Sequence, residues 1–173
     1  MDIGIRADGM TTSDFENFAI EIVKKKFDNS SLHGFKEGRD DGIDGIDDIA
    51  SPSLVIQAKR WQVTKNHATA VKLLKEEIDK IALTKEKYGW KNDFNYVIVT
   101  SMGLSPANLK EIRDYADTII PNAIPTDDYI IFSSTLTTLS QHKEYSEIFI
   151  KYGLLEKDIT NVLRNIKFKN IEA

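Results

Sequence analysis

The stretch GRDDGIDGIDDIASPSLVIQAKRW, Gly38 to Trp61, restricts what this chain can fold into more than any other. An acid, Asp44, sits inside the apolar tetrad Ile43-Asp-Gly-Ile46, where charge is normally avoided. Ser51-Pro-Ser53 is a turn-forming connector, and the apolar run that follows ends in Gln57-Ala58-Lys59. Gln57 and Lys59 are two positions apart, so on a strand they share one face. If the two apolar segments pair as a hairpin, Asp44, Gln57 and Lys59 converge at one end of it.

Periodicity places the remaining elements around that hairpin. Thr11-Thr-Ser-Asp-Phe15 opens a helix whose apolar face is Phe15, Phe18, Ala19, Ile22, Val23 and Phe27, with Lys24 to Lys26 in the last turn. Extended segments are predicted over Leu32–Lys36, Ile43–Ile49 and Ser53–Lys59. A long amphipathic helix, His67 to Tyr88, follows; its buried stripe is Val71, Leu74, Ile78, Ile81 and Ala82, and Gly89 stops it. Phe94 to Thr100 reads as a strand covered on both faces. Ser105-Pro106 starts a helix ending near Asp117, with cap and proline in the favoured order. A strand at Tyr129–Phe132 and helices at Leu136–Lys151 and Leu155–Ile166 complete the order α-β-β-β-α-β-α-β-α-α. The strand–helix–strand run is a parallel crossover, so an α/β fold with a mixed central sheet flanked by helices is expected.

Bulk properties exclude several classes. The 173 residues fit one domain, taken as 1–173, and the end at Asn170-Ile-Glu-Ala173, soon after a predicted helix, is what a piece of a longer protein would show. With no cysteine, disulfides, thiolate metal sites and cysteine nucleophiles are ruled out. No secretory signal and no bilayer-spanning run is present, which points to a cytoplasmic location without membrane contact. The net charge of −4 argues mildly against nucleic acid, but the charge is unevenly spread. Glu37, Asp40, Asp41, Asp44, Asp47 and Asp48 crowd around the single base Arg39, whereas Lys59 to Lys91 holds nine bases against four acids. An acidic pocket beside a basic element suits a metal site next to a phosphate track, with Arg60, Lys65 and Lys72 as backbone contacts. Solvated helix faces account equally for the basic stretch.

An acid, an amide and an amine at one place can hold a divalent cation beside a proton-handling group, as phosphodiester cleavage requires. Magnesium takes oxygen ligands and keeps several waters, so one or two carboxylates and a carbonyl suffice; manganese can replace it. Asp44 is the expected main ligand, with a second oxygen from Gln57 or the Ala58 backbone carbonyl. Lys59 would stabilise the attacking hydroxide or the phosphate charge. Asp44 as an ordinary Asp-Gly turn is the competing reading. Glu16 has two readings: the second half of a Ser13-x-x-Glu16 capping box, or a further acid reaching the site. Asp40 and Asp41 have three readings, as accessory metal ligands, as turn residues or as partners of Arg39, and Asp47 and Asp48 are read as structural. Trp61 packs on the sheet or stacks on a base.

Phe15-Glu16 on an N-terminal helix, Gly38-x-Asp40-x-Gly42-Ile43-Asp44-Gly45, and Val55-Ile56-Gln57-Ala58-Lys59 together resemble the PD-(D/E)xK nuclease superfamily, and within it the Mrr-like restriction endonucleases. Similar domains stand at the N-termini of bacterial antiphage proteins, including antiviral STAND ATPases. The resemblance implies a restriction-endonuclease-like fold, Asp44 as principal metal ligand, Gln57 in place of the usual Asp or Glu, Lys59 as the catalytic lysine, and Glu16 in the active site. Asp40 matches the first Asp of the family's Asp-Gly-Gly-Ile-Asp pattern, while Asp41 departs from it by replacing a glycine.

The leading expectation is a magnesium-dependent endonuclease for double-stranded DNA, an effector of antiphage defence or restriction. A homo-oligomer is expected because two strands need two active sites; a fused ATPase or sensor domain is a further partner that the resemblance allows. The alternatives are a non-cleaving nucleic-acid-binding module on the same fold and an RNA-directed nuclease.

Overall fold

In the computed structural model, which describes residues 6–35, 42–62 and 65–155, Thr11 begins the first helix, α1 (Thr12–Lys26), its hydroxyl accepting from Asp14 N at 3.1 Å. Ser13 lies inside the helix and is not its cap, so the capping-box reading of Glu16 does not hold. The predicted face is present: Phe15, Phe18, Ala19, Ile22 and Val23 are buried, and Phe27 packs at the edge.

Two extended segments expected before the second helix are shorter than the sequence suggests. Leu32–Lys36 contributes only a single antiparallel bridge, His33 to Ile46, and Lys36 lies outside the described residues. Ile43–Ile49 reduces to β1 (Gly45–Ile46). The reason is Asp47, whose carboxylate turns the chain. It accepts from the backbone N–H groups of Asp48, Ser53 and Leu54, from Asn29 Nδ2, and from the Ser53 hydroxyl. Burial pushes its pKa up, but these donors outweigh that and hold it below the ordinary aspartate value. Residues 47–53 are thus one loop wound on a carboxylate rather than strand plus tight turn. Trp90 Nε1 pins the loop by donating to Ile49 O at 2.7 Å.

β2 (Leu54–Lys59) and β3 (Asn95–Thr100) pair in parallel across α2 (His67–Tyr88), and β3 pairs in parallel with the short β4 (Ile130–Ile131) across α3 (Pro106–Ile119). With β1 antiparallel to β2, the sheet order is β1-β2-β3-β4, mixed as expected. The Gly89 and Ser105 signals hold: Gly89 closes α2 at φ 68°, and Ser105 forms a capping box with Asn108 behind Pro106. Asn66 caps the start of α2 by accepting from Ala68 N and Thr69 N.

The C-terminal helix predicted over Leu136–Lys151 is instead two, α4 (Ser133–Ser140) and α5 (Lys143–Lys151). The Ser-Ser-Thr-Leu-Thr-Thr-Leu-Ser sequence of α4 is poor helix material, and Ser140 turns its hydroxyl onto Thr137 O at 2.6 Å as the chain breaks. All but the first residue of the helix predicted at Leu155–Ile166 lies outside the described residues.

Strand alternation divides the core between the two sheet faces. Val55, Tyr96, Ile98 and Ile130 pack under α2 and α3 with Val71, Leu74, Ile78, Ile81 and Ile112. Leu54, Ile56, Ala58, Val97, Val99 and Ile131 pack under α1 and α5 with Phe15, Phe18, Ile22 and Phe149. Gln57 and Lys59, in phase with Val55, therefore project toward α2. This α/β architecture, a mixed sheet between helical layers, is the restriction-endonuclease-like arrangement anticipated from the sequence.

Candidate active site

The antiparallel register pairs Gly45 with Ile56 and Ile46 with Val55, so one step further Asp44 stands opposite Gln57. Two hydrogen bonds hold it there. Asp44 N donates to Ile56 O at 2.8 Å, and Asp44 Oδ2 accepts from Ala58 N at 2.8 Å. The half-buried Asp44 is thus not a solvated turn residue; its backbone and side chain are both tied to β2. Gly45 makes this possible. A Cβ there would lie 3.1 Å from Ile20 and 3.2 Å from Ile56, so only glycine lets α1 approach so closely behind the acid.

On β2, Gln57 is 1% exposed and its Oε1 finds no hydrogen-bond partner among the described residues. Ala58, the predicted carbonyl donor, lies between Gln57 and Lys59 and spends its N–H on Asp44. Lys59 points to α2, where its Nζ lies 3.1 Å from Glu77 Oε1. The same oxygen is 3.2 Å from Lys80 Nζ. The other oxygen, Glu77 Oε2, is buried and unpartnered among the described residues.

Glu77 was not among the residues singled out from the sequence, yet a signal was present. It lies three residues after Leu74 and four before Ile81, on the apolar stripe of α2, where an acid is as anomalous as Asp44 between isoleucines. Glu76 beside it is exposed, as a surface acid should be.

The other predicted residues are placed as follows. Glu16 is half-buried on the second turn of α1, whose packing covers the opposite sheet face from Gln57 and Lys59. The segment leading into α1 reaches the end of β2, where Arg60 Nη1 donates to Asp8 O at 3.0 Å. That bond, with Arg60 Nε buried and unpartnered among the described residues, turns the guanidinium inward rather than toward solvent. Lys65 Nζ lies over the Trp61 ring, 5.2 Å from its centroid, and Lys72 is exposed on α2. Trp61 is half-buried against the α2-side core; its N–H donates to Ser101 Oγ at 2.7 Å and its carbonyl accepts from the same hydroxyl at 2.6 Å. Asp40 and Asp41 lie outside the described residues.

Among the described residues no three of His, Asp and Glu gather closely enough to form an all-acid metal cage. The oxygens on and beside β2 are of mixed type: a carboxylate on the hairpin, a carboxylate on α2, and a buried amide oxygen. Two buried acceptor oxygens left without donors fit a hard divalent cation better than they fit a dry core, because each unsatisfied acceptor costs about 1–3 kcal/mol.

Neither a curated protein nor a solved structure matches the chain significantly. The Mrr_cat family model, described as a restriction endonuclease, matches residues 7–119, which run from before α1 through α3 and include Asp44, Gln57, Lys59 and Glu77. The match spans well over half of the 173 residues, and the chain belongs to the Mrr-type restriction endonuclease family.

Proposed function

We propose that this restriction-endonuclease-like nuclease is a magnesium-dependent endonuclease acting on double-stranded DNA, with Asp44 and Lys59 at its reacting centre. The observation that carries the reading is the hairpin register, which sets Asp44 opposite Gln57 and fastens its carboxylate to the strand that ends in Lys59. Asp44 would hold the ion through its carboxylate, with the Gln57 amide and the Ala58 carbonyl as further oxygens. The bound ion would lower the pKa of a coordinated water and neutralise charge on the phosphate. Lys59, kept extended by its strand and oriented by Glu77, would place an ammonium beside the scissile phosphate, where charge builds up during in-line attack.

The exposed Lys72, on the α2 side of the sheet that carries Gln57 and Lys59, supports backbone recognition without base reading. Arg60 supports it less, because its guanidinium is engaged by Asp8 O. Manganese would substitute for magnesium, and two-strand cleavage would call for self-association. Restriction of foreign DNA or antiphage defence, alone or as the effector part of a larger ATPase or sensor protein, is the cellular role we propose.

Supercoiled plasmid, linear duplex, single strands and tRNA, each incubated with the protein and magnesium, provide the test. Duplex cleavage that needs the metal and disappears in folded Asp44→Ala and Lys59→Ala proteins is expected. Equal cutting by wild type and both variants would reject the site. Cleavage confined to tRNA would make the enzyme a ribonuclease, and DNA binding without cutting would make it a binding module.

A further inference from the structure

We infer that Glu77, on α2, is the second carboxylate of the metal site and stands in for the acid that position 57 lacks. The inference rests on the nuclease reading above and deepens it. A divalent ion held by Asp44 and an amide alone would have a single formal negative charge around it, and a second acid would balance the dication.

Three observations converge on Glu77. The first is burial without full satisfaction. The residue is 5% exposed, Oε1 is shared by Lys59 and Lys80, and Oε2 has no partner among the described residues. A carboxylate kept only as a counter-ion would not need to carry an undonated oxygen into the interior, since that oxygen costs more than a neutral one. The second is the matching defect on the facing strand: Gln57 Oε1 is also buried without a donor. Gln57 and Lys59 share the strand face turned to α2, the face on which the Lys59 ammonium meets Glu77 Oε1. The third is the path of the Asp44 loop. Gly42, at φ 75°, lies so close to α2 that a Cβ there would be 3.3 Å from Lys80 Cβ and 3.7 Å from Ile81 N. The residues just before Asp44 are thereby packed one helical turn from Glu77.

Charge bookkeeping fits the same assignment. In the metal-free protein the ammonium groups of Lys59 and Lys80 balance Glu77. Lys80 is the more exposed of the two, its side chain 55% accessible against 25% for Lys59. Lys59 would stay on Oε1 while Oε2 takes the ion, so one carboxylate would both ligate the metal and orient the lysine.

Direct Mn²⁺ titration of the full chain, read by the loss of the free-ion electron paramagnetic resonance signal, tests this without reference to activity. Melting curves in EDTA report whether each variant is folded. Asp44→Asn and Glu77→Gln should each weaken Mn²⁺ binding about 10-fold or more. Lys80→Met should bind as tightly as wild type or tighter, and Gln57→Glu added to Glu77→Gln should restore binding by returning an acid to the strand. Loss of binding in Asp44→Asn with wild-type affinity in Glu77→Gln would overturn the inference and leave the nuclease reading standing. Absence of Mn²⁺ binding by the wild type would overturn both. If Glu77→Gln does not fold, Glu77→Asp keeps the charge beside Lys59 and retracts the oxygen by one methylene. Weakened binding in that variant supports a ligand, and unchanged binding refutes it.

Discussion

Lys59 Nζ and Glu77 Oε1 lie 3.1 Å apart, joining the end of β2 to the middle of α2. The pair is the physical link between the strand that ends in Gln57-Ala58-Lys59 and the helix that carries the basic residues. Its energetic value as an ion pair is not its main consequence, because a buried pair loses in desolvation much of what it gains in attraction. What it contributes is direction. It holds the lysine on the α2 side of the sheet, over the same face as Gln57.

Removing that ammonium separates chemistry from stability. Lys59→Met should abolish plasmid cleavage, by about 100-fold or more given the usual cost of losing a transition-state charge contact. The fold should survive, since Lys80 still neutralises Glu77. Cleavage rates and a thermal melt on the same preparation check both halves.

Gln57→Glu should behave oppositely with and without metal. In EDTA the new carboxylate is buried beside Asp44, and like charges in a dry site repel, so the melting temperature should fall. With magnesium or manganese present the added ligand should raise it above that of the metal-free variant by more than wild type gains. A melting temperature unmoved by metal in this variant would mean that position 57 does not face the ion.

Gly42→Ala tests how the acid is positioned. The backbone at φ 75° is left-handed, and the added Cβ would press on Lys80 Cβ at 3.3 Å. A loss of about 1–2 kcal/mol in urea unfolding is expected for a non-glycine residue in that conformation. Cleavage should drop further than stability does, because the loop that delivers Asp44 is displaced. Equal losses would assign Gly42 to folding alone.

The Asp47 loop gives a pH signature with a defined sign. Its folded pKa lies below the ordinary aspartate value, despite burial, because Ser53, Leu54 and Asn29 donate to the ionised form. The stabilisation is therefore complete above the unfolded pKa of about 4 and is lost as pH falls through the lower folded value. Asp47→Asn should be less stable than wild type at neutral pH, by on the order of 1–3 kcal/mol for the lost charge-assisted bonds. The gap should narrow below about pH 4. Paired denaturation series from pH 7 to pH 3 measure it; a gap independent of pH would mean the charge is not what organises the loop.

Much of this protein was written into local sequence. The apolar spacing of α1 and α2, the Ser105 cap, the Gly89 stop and the β-branched run of β3 are short-range properties, legible because each depends on near neighbours in the chain. So was the meeting of Asp44 with the Gln57-Ala58-Lys59 strand, since a hairpin pairs residues adjacent in the chain. Where local patterning misled, a side chain overruled it: Asp47 shortened β1 by collecting backbone donors, and Ser140 helped divide the last helix. The orientation of Arg60 onto Asp8, and the ion pair between Lys59 and Glu77, depend on which sheet face each helix covers. That choice belongs to the packing of α1 and α2 against opposite sides of β2. An acid on a helical stripe is visible in one dimension, but its partner is selected only when the helix crosses back over the sheet.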